Sequence, residues 1–223
     1  MSKKILVVAA HADDEVLGCG GTIARHVAEG DAVHVIFMAD GVGSRGDEQI
    51  AEFEARNQAR DAALKTLGVI ECHALDFPDN RMDSVPLLDV VQALDPIVRK
   101  IQPERVYTHH HGDLNVDHRV THQAVLTACR PLPGSSLREI LAFEVMSSTE
   151  WATPGFAPFI LNAFVDISAY LPKKLEALAA YELEMRPTPH SRSVGHIEAL
   201  ARHRGNSVGV DAAEAFELCR SIR

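Results

Sequence analysis

Residues 5–10 read Ile-Leu-Val-Val-Ala-Ala, an apolar run with no polar alternation. A strand with one face in water alternates, so an unbroken run of this length suits a strand covered on both faces. Residues 16–29 follow with helical character, and a second apolar run over 32–39 ends at Asp40-Gly41. Strand, helix and strand in so short a stretch predict a βαβ unit, because parallel neighbours need a crossover between them. The alternation continues with helices expected at 47–67, 87–100, 118–129, 173–185 and 193–204. Strands are expected at 69–75, 105–108, 139–145 and 161–167. A layered α/β fold follows, with a mostly parallel sheet flanked by helices.

At 223 residues the chain suits one domain spanning 1–223. Its formal net charge of -9 disfavours nucleic acid or an anionic membrane as a partner, since both select a positive footprint. No apolar run is long enough for a membrane span, and residues 1–4 lead straight into the first strand without a secretory pattern, so a cytoplasmic location is expected. Cys19, Cys72, Cys129 and Cys219 form no C-x-x-C pair and are expected to be buried thiols. Formation of a homo-oligomer is left open.

The first strand runs into His11-Ala12-Asp13-Asp14-Glu15. Acids at a helix start can simply cap free amides and offset the helix dipole, for about 0.5–2 kcal/mol per cap. That accounts for one or two acids better than for the histidine beside them. In open α/β sheets, ligands sit beyond the carboxyl ends of the strands, where this cluster falls. His11 and Asp14, three apart across a tight turn, can converge on one metal through imidazole and carboxylate, a donor mix that suits zinc. Asp13, kept off the metal but near its water, can act as general base, and Glu15 can orient a ligand or cap the helix. The glycines at 18, 20 and 21 do not make a dinucleotide fingerprint, because position 23 is Ile and the acids would repel a pyrophosphate. They read as close-packing positions between helix and sheet.

A third ligand is required from another strand end. After the strand at 105–108 come His109-His110-His111-Gly112-Asp113-Leu114-Asn115-Val116-Asp117-His118. His118 starts the next helix as Asp14 starts the first, and Asp117 is placed to support a ligand from behind. His109, His122, His196 and His203 taken singly read as structural or surface residues.

The boxes Ala10-His11-Ala12-Asp13-Asp14-Glu15 and Asn115-Val116-Asp117-His118 together resemble the PIG-L (LmbE-like) N-deacetylases, and the likeness extends to Pro189-His-Ser-Arg192-Ser193 and Ala213-Glu-Ala-Phe216. The resemblance implies a Rossmann-like fold and zinc-dependent removal of an acetyl group from an N-acetylated amino sugar or a conjugate of one. By matching position, His11, Asp14 and His118 would bind Zn2+, Asp13 would be the general base, and Arg56 would meet substrate. Many members carry histidine where this chain has Asn115. Asparagine donates a hydrogen bond but does not titrate, so the proton donor would be Asp13 itself, or His110 or His111.

For the substrate, Asp79-Asn80-Arg81 and residues 144–151 follow expected strands. Trp151 offers a flat face to a sugar, and Arg45, Arg56, Arg81 and Arg192 offer charge to an anionic group. Three other readings compete: an amidase for a thiol-sugar conjugate, a non-haem iron oxygenase with the same two-histidine, one-carboxylate set, and a metal-binding protein of this fold without turnover. The spare carboxylate of Asp13 favours hydrolysis over the oxygenase.

Overall fold

The computed structural model describes residues 2–39 and 49–223. Five parallel strands form its centre: β1 (Lys4–Ala9), β2 (Ala32–Ala39), β3 (Glu71–Phe77), β4 (Arg105–His109) and β5 (Glu139–Phe143). Two more, β6 (Ala163–Asp166) and β7 (Ala213–Ser221), extend the sheet beyond β5 in the order β3-β2-β1-β4-β5-β7-β6, with β7 antiparallel to both neighbours. The helices are α1 (Asp14–Ala28), α2 (Gln49–Leu67), α3 (Leu87–Ile101), α4 (Val116–Ala128), α5 (Leu171–Ala179) and α6 (Val194–Asn206).

The opening run is buried on both faces, for the reason its composition suggests. Ile5, Val7 and Ala9 enter one core with α1, α2 and β5 residues, whereas Leu6 and Val8 enter a second core with residues of α3 and α4. Successive strand residues point to opposite faces, so only an unbroken apolar run can serve both. β1 therefore sits at the middle of the sheet. Strand order reverses between β1 and β4, and this makes their carboxyl ends the crevice of the fold.

α1 is not continuous. Cys19 leaves helical geometry (φ -147°, ψ 25°), which frees backbone groups on both sides of the kink. Those groups are taken up by a buried ion pair from distant elements. Glu214 on β7 accepts from the amides of Gly21 (2.9 Å) and Thr22 (2.7 Å), and Lys174 on α5 donates to the carbonyl of Leu17 (2.9 Å) and to Glu214 (2.6 Å). The glycines of the same helix are packing positions. A Cβ on Gly18 would collide with the ring of Phe143 in β5, and one on Gly21 with Ile167. Gly18→Ala is expected to cost about 1–3 kcal/mol of stability by overpacking. Urea unfolding checks this, and an unchanged midpoint would contradict it.

Most expected elements are present, with ends shifted by a few residues. Four points differ. β7 was not anticipated as a strand; the helix expected at 173–185 ends at Ala179; Cys72 is half-buried and Cys219 exposed; and the start of the helix expected at 47–67, together with Arg45, lies outside the described residues. No helix among the described residues is long and apolar enough to cross a membrane.

Candidate metal centre and active site

The loops leaving β1 and β4 meet because these strands are hydrogen-bonded neighbours. His11 and Asp14 come from the first loop and the start of α1, and His118 from the first turn of α4. One donor atom of each lies within 4.8 Å of the others. Asp14 Oδ2 stands 3.3 Å from His11 Nδ1 and 3.3 Å from His118 Nε2.

Carboxylates behind the rings fix which nitrogen faces the centre. His11 Nε2 is 2.9 Å from Asp117 Oδ2 and 3.2 Å from Asp79 Oδ1, so its proton belongs on Nε2 and the lone pair on Nδ1 is turned to Asp14. His118 Nδ1 lies 3.1 Å from Asp113 Oδ1, which leaves Nε2 inward. Asp117 is in turn held by the backbone amides of Asn80 (2.6 Å) and Met82 (3.0 Å), and Asp113 by the hydroxyls of Ser148 and Thr149. Asp79 and Asp113 were not assigned these supporting roles from sequence. Asp113 lies in the quoted histidine-rich segment, five residues before His118, and that spacing was the available signal.

The donor set fits a metal ion. Asp14 Oδ1 and His118 Nε2 are buried and have no hydrogen-bond partner, a costly arrangement unless something else satisfies them. Two imidazoles and a carboxylate are a common catalytic zinc set. A second grouping, His11 with Asp79 and Asp117, also brings donors together, but Asp117 is already satisfied by two amides and His11.

His109 completes the packing without being a free ligand. Its Nε2 accepts from the amide of Ala10 (2.8 Å), and its ring stacks on His118 at 3.9 Å between centroids. It braces both loops, in keeping with a structural reading.

Asp13 is turned elsewhere. Its Oδ2 accepts from Arg192 Nη1 at 2.8 Å, and its amide donates to Glu15 Oε2 at 3.0 Å. The hydroxyl of Tyr181 holds the other oxygen of Glu15 at 2.6 Å. Asp13 has φ 124°, where a residue with a side chain is strained, and such strain persists only where surroundings impose it. Burial pushes its carboxyl up to about 7 against the pull of Arg192, with Asp14 raising it further.

The other expected residues fall in different places. Asn115 caps α4: its Oδ1 accepts from Asp117 N at 2.8 Å, and its Nδ2 donates to Asn80 Oδ1 at 3.2 Å. His110 is not brought to the cluster; its ring bonds the carbonyl of Ala157 (2.8 Å) and faces Glu217 (3.0 Å). Arg56 pairs with Glu184 at 2.8 Å and lines a cavity of about 330 Å³ beside Ala12, together with Phe53, Arg60 and Asp76. Glu184 also lies 3.9 Å from Arg192, so Arg56 is linked to Asp13 through three ion pairs in series. Arg81 is exposed, between the two residues whose amides hold Asp117. Trp151 is 53% exposed, with its ring edge-on to His190 at 5.6 Å. His190 Nδ1 accepts from the amide of Arg192.

The carboxylates around His11 and His118 favour their protonated forms. Burial pulls His118 down, but Asp14 and Asp113 outweigh it and raise it to about 9; His11 is likewise raised by Asp117, Asp14 and Asp79 despite burial. Both folded-state values lie above the ordinary 6.5, so the stability they contribute is complete below pH 6.5 and lost as pH rises through those values, about 9 for His118. Metal binding needs those nitrogens bare and so strengthens over the same window. The melting temperature of the metal-free chain is expected to fall from pH 6.5 to 9 while its gap to the metal-loaded chain widens. A gap independent of pH would contradict this.

A Rossmann-like sheet that brings two histidines and an aspartate together at its switch point defines an α/β protein whose donor set could hold a metal ion. The family model PIG-L, described as GlcNAc-PI de-N-acetylase, matches residues 6–129, which include both boxes. The chain belongs to the PIG-L family. It is 32% identical over 81% of its length, and 91% of the relative's, to the uncharacterised deacetylase YaiS of Escherichia coli (strain K12). It is 28% identical to the 1D-myo-inositol 2-acetamido-2-deoxy-alpha-D-glucopyranoside deacetylase of Mycolicibacterium vanbaalenii, over 96% of this chain and 90% of that one. Among solved structures, the N,N'-diacetylchitobiose deacetylase of Pyrococcus horikoshii superposes with a TM-score of 0.78 at 23% identity, over 98% of this chain and 84% of that one. GalB, the 4-carboxy-2-hydroxymuconate hydratase of Pseudomonas putida KT2440, superposes with the same score at 24%, over 99% and 98%. Both structures share the fold, and the fold alone does not choose the reaction.

Proposed function

We propose that the chain is a zinc-dependent hydrolase that removes the acetyl group from an N-acetylated amino sugar or a conjugate of one. The observation that carries the reading is a division of labour in one loop. His11 and Asp14 face His118 with unsatisfied buried atoms between them, whereas Asp13, beside them, is held apart on Arg192. This arrangement suits a hydrolase, since a carboxylate kept off the metal has an oxygen available to orient and deprotonate water. Relatives named as deacetylases of glucosamine-type substrates support the substrate class.

His11, Asp14 and His118 would hold the ion, which when bound supplies a Lewis acid that acidifies water and polarises a carbonyl. Asp13 takes the proton of the attacking water, and its raised pKa suits a base working near neutrality. Arg192 fixes the Asp13 carboxylate and keeps it off the ion. Asp117 and Asp113 hold the two imidazoles in the required tautomers. As the amide C–N bond breaks, Asp13 returns that proton to the leaving nitrogen, giving acetate and a free amine. Asn115 can offer the developing oxyanion only its Nδ2, since Oδ1 is an acceptor and is taken by the α4 cap. Arg56, Arg81 and Trp151 are assigned to the sugar and whatever it carries.

Stripped enzyme reloaded with zinc should release one acetate per amine from N-acetylglucosamine, its glycosides or its nucleotide, lipid-linked or thiol-bearing conjugates. Absence of acetate from every member of this panel would overturn the proposal.

A further inference from the structure

We propose a second metal site, for a late first-row divalent ion such as zinc, formed by His110, His111 and Glu217. One donor atom of each lies within 4.8 Å of the others. None of the three belongs to the centre described above.

The hydrogen-bonding geometry restricts where protons can be. His110 is 1% exposed, and its Nε2 is 2.8 Å from the carbonyl of Ala157, which can only accept; Nε2 therefore carries the hydrogen. The approach of Ala157 depends on Gly112, where a Cβ would collide with the Ala157 carbonyl and lie 2.7 Å from His110 Nε2. A neutral His110 then has a bare lone pair on Nδ1, and that atom faces Glu217 Oε2 at 3.0 Å. Both are buried and neither has a hydrogen-bond partner. Two lone pairs held face to face on buried atoms repel, so the arrangement calls for a cation between or beside them.

His111 supplies the third donor from the exposed side, its ring 4.5 Å from that of His110 between centroids, and leaves room for solvent to complete the coordination. Two imidazoles and one carboxylate without a thiolate select zinc, cobalt, nickel or copper over calcium or magnesium. A bound ion would clamp the loop after β4 to β7. That loop carries Asp113 and Asn115 and leads into the first turn of α4 with Asp117 and His118, so the second ion would stiffen the frame of the first without touching substrate. The competing occupant is a proton, with His110 as imidazolium paired to Glu217.

Metal-stripped full-length chain is titrated with Co2+, and bound metal is counted by elemental analysis after equilibrium dialysis, with visible absorption recorded. About two equivalents are expected for the wild type at micromolar free ion, and about one for Glu217→Gln and for His111→Ala. Asp14→Ala should also bind about one, with absorption bands that differ from those of the Glu217→Gln chain. Glu217→Gln matters because a surface histidine pair would bind without Glu217. One equivalent in the wild type, or two retained in Glu217→Gln, would overturn the proposal in favour of the proton or of adventitious histidine binding.

Discussion

Asp13→Asn is expected to lower kcat by about 10²–10⁴-fold, the usual contribution of a positioned general base, with zinc content unchanged. The side chain is not among the three converging donors, so its loss leaves the ion's ligands intact. Asparagine has nearly the shape of aspartate, so the surroundings that impose φ 124° at position 13 meet a side chain of the same size. It can still accept from Arg192 but cannot take a proton at working pH. KM should change little, since the interaction lost is made only as the proton moves. Asp14→Asn should behave differently, losing metal and turnover together. Near-normal turnover by zinc-loaded Asp13→Asn would remove Asp13 from the chemistry.

The second large effect concerns stability. Lys174→Met leaves Glu214 buried and uncompensated beside the kink in α1, and breaking a buried pair in this way costs about 3–5 kcal/mol. For a chain of this size that is a fall in melting temperature of roughly 6–20 °C. Glu214→Ala should cost at least as much, because it strands the amides of Gly21 and Thr22 as well as the ammonium of Lys174. The pair reaches the active site through α1, whose first residue is Asp14. Equilibrium urea unfolding of both variants gives the test, and losses under about 1 kcal/mol would show that the kink is satisfied by other means.

The centre of the sheet was legible because it is written in continuous apolar runs, which only doubly covered strands require. The two boxes were legible because residue type and position agreed: acids and histidines directly after strands, at the switch point of the order β3-β2-β1-β4-β5. β7 was not, because its run Ala-Glu-Ala-Phe-Glu-Leu-Cys-Arg-Ser carries charges whose surroundings, Lys174 beside Glu214 and the His110 ring facing Glu217, are supplied only by the tertiary fold. The early end of α5 has a similar cause: Tyr181, beyond it, is committed to Glu15 at the other end of the sequence. Asp79 and Asp113 lie on loops, where no periodicity marks a residue that supports a histidine from behind. In the sequence Asn115 stands out as a departure in the chemistry. The structure gives its side chain a cap and a tie to Asn80.

The central claim is that an ion held by His11, Asp14 and His118 enables amide hydrolysis. The most direct measurement is acetate release from an N-acetylglucosaminide by stripped enzyme as zinc is titrated back, for the wild type and Asp14→Ala in parallel. Turnover should be absent after stripping, return with zinc in the wild type, and stay absent in Asp14→Ala at any zinc concentration that leaves the protein folded. Acetate release that survives stripping, or that zinc restores equally in Asp14→Ala, would contradict the account.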